Sequence, residues 1–98
     1  MIEKRIIIWN ILISVLMKLK VENLSSNAMD DICNMIFEIR TELRDSYNEL
    51  KDENNCLLAD MIIKVLDSID LSKTKIYELR EKITCIRELF NLINWEEC

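Results

Sequence analysis

The sequence predicts an all-α protein: a three- or four-helix bundle built on a long central helix over about 28–69, with N- and C-terminal helices packed antiparallel on it. Three observations lead there. The 98 residues contain no glycine and no proline. Tight turns recruit both residues, and a β-rich domain of this size needs several such turns, whereas helix interiors exclude both. Apolar residues also recur at intervals of three and four along most of the chain, which is the repeat of one helix face. Finally, a helix over 28–69 would run roughly 63 Å. Flanking helices over 2–20 and 73–95 together match that length, and short connections fold each back along its neighbour.

The first helix is expected over about 2–20. Its stretch "RIIIWNILISVLM" carries few polar residues: between Ile6 and Leu19 these are Asn10, Ser14 and Lys18. A membrane span needs about 20 apolar residues, and shorter runs are more often core helices. The charged start and apolar run resemble a signal segment, but "LMKLKVEN" offers no small-residue cleavage site. The preferred reading is a core or oligomer helix, with a membrane anchor over 6–19 as the alternative. A helix apolar nearly all round needs cover on several sides. Two neighbours in so short a chain leave some of it bare, and a second chain would cover the remainder, Trp9 included.

The break "VENLSSN" precedes the second helix, over about 28–53. Ser26 or Asn27 is the expected N-cap, with Asp30 and Asp31 in the first turn, where the helix dipole favours acids. Ile32, Ile36, Ile39, Leu43 and Leu50 form a heptad seam. Glu38, Glu42, Asp45, Glu49 and Asp52 run one residue ahead of it, and Arg40, Arg44 and Lys51 one residue behind. One residue is about 100° of rotation, so acids line one side of the seam and bases the other. At "KDENNC" the phase slips. The helix either breaks at Asn54–Asn55, giving a separate helix over 55–69 and four in all, or continues through a stutter.

"DLSKTK" is the next break, with Ser72 as N-cap and Leu71 and Ile76 as a hydrophobic staple for the last helix, over about 73–95. Its seam is Ile76, Leu79, Ile83, Ile86, Phe90 and Ile93, bordered by Lys75, Arg80, Lys82 and Arg87. Trp95 then either staples the helix end or serves as an exposed anchor. Charge favours contact between the pieces. Residues 1–27 carry four bases against two acids, residues 28–71 four against eleven, and residues 72–98 five of each.

The chemistry the sequence offers is thin. With no histidine there is no imidazole base and no nucleophile–histidine dyad. With no glycine there is no phosphate-cradling loop. The cysteines, Cys33, Cys56, Cys85 and Cys98, form no CxxC pair and have no histidine to complete a zinc site. They read as reduced thiols, although a hairpin about residue 71 would set Cys56 opposite Cys85, where a bridge could form. An isoelectric point near 4.7 and the lack of a basic stripe with aromatics argue against nucleic acid.

The expectation is therefore a non-enzymatic interaction or assembly module with no catalytic residue, cofactor or metal. It self-associates, as a dimer, through apolar seams, with Trp9, Ile32, Ile36, Ile39, Leu43, Ile83, Ile86 and Phe90 as the interface residues. One alternative is a small acidic regulator or inhibitor, of viral or phage type, that engages a basic protein surface with Glu38, Glu42, Asp45, Glu49 and Asp52. The other is a small membrane-anchored protein. The expected location is the cytoplasm of a bacterium or of a virus-infected host.

Overall fold

A computed structural model describes residues 2–20 and 25–95. Their order is α1 (Ile2–Lys18), α2 (Ser26–Ser46), a 3-10 turn (Tyr47–Glu49), α3 (Glu53–Asp67) and α4 (Ile76–Leu92). The described residues include no strand and fill a body of 40 × 22 × 18 Å.

The polar contacts give the topology. Lys4 on the first turns of α1 pairs with Glu42 near the end of α2, and Lys18 at the other end of α1 lies 3.8 Å from Asp31. Arg40 reaches Asp67 at 2.8 Å, and Tyr47 reaches Asp60 at 3.2 Å. Asn55 meets Asn94, and Lys82 meets Ser68. Trp9 stacks near Phe90, and Arg80 donates to the carbonyl of Leu19. In every neighbouring pair the numbers run in opposite directions. The fold is an up-down-up-down four-helix bundle, with α1 packed on α2 and α4, and α3 packed on the same two helices.

Each helix contributes one apolar row to a common core. From α1 and the turn that follows it these are Ile8, Leu12, Val15 and Leu19, spaced four, three and four, and all fully buried. Ile32, Ile39 and Leu43 enter from α2, Ala59, Ile62 and Leu66 from α3, and Leu79, Ile83, Ile86 and Phe90 from α4. Burying each large aliphatic chain removes enough apolar surface to contribute about 1.5–3 kcal/mol. That burial, far more than the exposed ion pairs at up to about 1 kcal/mol each, holds four short helices together.

The long central helix does not run through. The chain leaves the helix at Tyr47 and re-enters at Glu53, so the corner lies over 47–52 and not at Asn54–Asn55. Several groups fix this corner. Tyr47 donates its phenolic hydrogen to Asp60, which also holds the phenol above its ordinary pKa, through that hydrogen bond first and the carboxylate charge second. Leu50 turns inward, 2% exposed, and its carbonyl accepts from the Cys56 thiol at 2.7 Å. Asp52 then caps α3, accepting from the N–H of Asn54 at 2.7 Å and of Asn55 at 3.4 Å. An aspartate two residues upstream is the better cap, so the asparagines fall inside the first turn.

Asn55 has a further task. It is buried, its amide donates to the Asn94 carbonyl at 3.0 Å, and its oxygen accepts from the Asn94 N–H at 3.1 Å. One side chain thus ties the start of α3 to the chain leaving α4. In Asn55→Ala both bonds are lost, and urea unfolding is expected to show a loss of about 2 kcal/mol.

The other boundaries shift for local reasons. Ser25 caps α2, its hydroxyl accepting from Ala28 N–H at 3.2 Å, ahead of the expected Ser26 or Asn27. Ser72 does not cap α4. Asp70 takes both its N–H, at 3.0 Å, and its hydroxyl hydrogen, at 2.6 Å, and α4 begins only at Ile76 behind an uncapped Lys75. Those bonds hold the Asp70 carboxyl below its ordinary pKa, the Ser72 hydroxyl first and its N–H second. A depressed carboxyl stabilises the fold above the unfolded value of about 3.9, and that contribution disappears as pH falls through the lower folded value. In Ser72→Ala, an NMR titration is expected to find Asp70 moved back up toward its ordinary value.

Cys33, Cys56 and Cys85 are free thiols. The hairpin of α3 and α4 does not close symmetrically about residue 71. Lys82 lies opposite Ser68, and Asn94 opposite Asn55, so Cys56 and Cys85 sit well out of register. Cys98 and the pair Glu96–Glu97 fall outside the described residues.

Candidate interaction surface

The residues expected at an interface mostly serve the chain's own core. Ile32, Ile39, Leu43, Ile83, Ile86 and Phe90 are at most 1% exposed. Trp9 and Ile36 are half-buried and pack against that core. Within the single chain these seams of α2 and α4 are covered by the bundle itself, where α2 and α4 each pack on α1 and α3.

The acidic row is also partly consumed. Glu42 holds Lys4, whose ammonium is kept above its ordinary pKa by that hydrogen bond, with weaker help from the charges of Asp45 and Glu49. Asp52 is spent on capping α3. Glu38, Asp45 and Glu49 remain exposed.

The surface that stands out is the outer face of α1. With Ile8, Leu12, Val15 and Leu19 inward, a helix at 100° per residue turns Ile6, Asn10, Ile13 and Met17 away from the core. Ile6 is 54% exposed and Met17 63%. Ile7 is exposed beside them, and Ile13 is half-buried. Elsewhere the large exposed apolar residues come one or two to a helix: Phe37 on α2, Leu57 and Met61 on α3, Tyr77 and Leu92 on α4. Single exposed apolar residues are ordinary, whereas a row of them marks a contact surface. Sequence reasoning saw that α1 is apolar nearly all round but did not separate its two rows. The signal was available: 8-12-15-19 and 6-10-13-17 are two heptad rows on different sides of one helix.

A groove of about 280 Å³ borders this face, lined by Arg5, Ile6, Trp9 and Asn91 between α1 and α4. Away from α1, a shallow groove of about 400 Å³ lies between α2 and the α3–α4 connection, with Met29, Cys33 and Leu71 among Ser26, Asp30 and Ser72. Among the described residues, no three histidine, cysteine, aspartate or glutamate side chains converge as a metal would require. No helix among them is long and apolar enough to cross a membrane. Comparison with known protein families, with curated proteins and with solved structures finds no match to this chain.

Proposed function

We propose that this chain is a non-enzymatic helical interaction module that self-associates, with the outer face of α1 as its contact surface. The observation that carries the reading is an apolar row on the outer side of α1, Ile6 and Met17 exposed with half-buried Ile13 between them and exposed Ile7 beside it, on a bundle that already has its own core. Leaving such a row in water is unfavourable by about 25 cal/mol per Å². A partner helix laid along α1 removes it from water and reaches the Arg5–Trp9–Asn91 groove at its edge.

The acidic-regulator alternative draws on Glu38, Asp45 and Glu49, but two of the five carboxylates in its row already have internal work. Three free thiols among the described residues suit a reducing compartment, and the reading accordingly assigns the module to the cytoplasm. Light scattering over a concentration series tests it. The expected result is a mass that rises from monomer toward dimer through the micromolar range. A constant monomer mass up to millimolar protein would overturn the reading.

A further inference from the structure

We infer that α1 pairs antiparallel with α1 of a second copy of this chain, Glu3 of each copy meeting Lys20 of the other. The inference rests on the self-association reading and adds its partner, direction and register.

The outward row of α1 extends beyond its apolar part. Glu3, Ile6, Asn10, Ile13, Met17 and Lys20 follow one another at intervals of three, four, three, four and three. That is an unbroken heptad row along one side of the helix. Lys20 belongs to it because the backbone keeps turning past Lys18, with Leu19 N–H bonded to Val15 O at 3.0 Å and Lys20 N–H to Met17 O at 3.3 Å. Glu3 and Lys20 are both exposed. The row therefore has an acid at one end, a base at the other, and apolar residues about a central asparagine.

Such a row is complementary to itself reversed. Setting Ile6 against Met17 of the second copy places Asn10 against Ile13 and Glu3 against Lys20, and two-fold symmetry makes each contact twice. A parallel pair would instead set Glu3 against Glu3 and Lys20 against Lys20, which repel. Asn10 faces an isoleucine in this register, which lowers the affinity of the pair, and the end charges set the register.

The size of the contact sets its strength. Eighteen residues of helix run about 27 Å, and the face is one helix wide, roughly 10 Å. That is small beside the roughly 800 Å² per partner of a stable complex. The dimer is accordingly weak and concentration-dependent.

Charge exchange at the row's ends tests direction and register. Sedimentation equilibrium at low salt would compare the wild-type chain with Glu3→Lys, Lys20→Glu and the double swap. In the antiparallel pair each single change replaces two attractions with two repulsions and weakens the dimer about tenfold, and the swap restores it. In a parallel pair the single changes merely exchange one repulsion for another, so wild-type affinity in both single variants overturns the inference while leaving self-association intact. A wild-type chain that stays monomeric overturns the underlying reading as well. Far-UV circular dichroism checks that α1 stays helical. Should Glu3→Lys disturb it, Glu3→Gln and Lys20→Gln make the same comparison with about a threefold loss each.

Discussion

Replacing Phe90 with alanine is expected to lower the free energy of unfolding by about 3–5 kcal/mol. Phe90 is 1% exposed and sits between two tryptophans. Its ring centroid lies 6.0 Å from that of Trp9, stacked at 23°, and 5.3 Å from that of Trp95, tilted at 45°. These separations suit aromatic pairs, each worth about 0.5–1.5 kcal/mol beyond the area it buries. The cluster also joins three parts of the chain: α1 through Trp9, α4 through Phe90, and the segment after α4 through Trp95. Its truncation leaves a void that no single element can close. A domain of this size has about 5–15 kcal/mol of stability in all, so the variant retains little margin. Urea unfolding followed by tryptophan fluorescence measures it, and both emitters flank the altered site. Phe90→Leu keeps part of the volume and is expected to lose about half as much. A loss under about 1 kcal/mol in Phe90→Ala would mean that the rings do not pack as described.

Ile6→Glu with Met17→Glu is expected to abolish self-association while leaving the fold unchanged. Both positions are more than half exposed in the bundle, so a carboxylate there meets water in the single chain, and stability should stay within about 0.5 kcal/mol of wild type. In the dimer the same carboxylates would be buried opposite one another without partners, which is costly. Association should weaken by about a hundredfold or more. The contrast is Leu12→Glu, one row inward on the same helix. Leu12 is fully buried, and that change is expected to unfold the chain. Light scattering and thermal melting on the three proteins separate the two rows of α1. If the double variant still dimerises, the contact lies on another face, with Leu57 and Met61 of α3 the next to alter.

The two α1 rows show what a single sequence makes legible. In α4 the expected seam of Leu79, Ile83, Ile86 and Phe90 is the buried row, with Ile93 at 5% exposed following it. In α2 the same holds for Ile32, Ile39 and Leu43, with Ile36 at the margin. Periodicity reveals such rows because a helix repeats its faces at fixed intervals whatever surrounds it. The corner over 47–52 was less legible. It depends on Tyr47 finding Asp60 and on Leu50 reaching the core, both contacts between residues on different elements. The sequence marks Asn54–Asn55 only as a place where the helix breaks or continues through a stutter; the partner of Asn55 is Asn94, 39 residues away, and no local pattern points to it.

The sequence by itself determined that this protein is a set of short helices with apolar rows, because the lack of glycine and proline and the spacing of isoleucine and leucine are local properties of the chain. Only the tertiary structure decided which rows are covered. The seams of α2 and α4 close on their own chain, and the row of α1 that begins at Ile6 is left outside. The physical reason is that four helices around one core can each bury one face. A helix with two apolar faces must leave one of them in water, and spacing alone cannot say which.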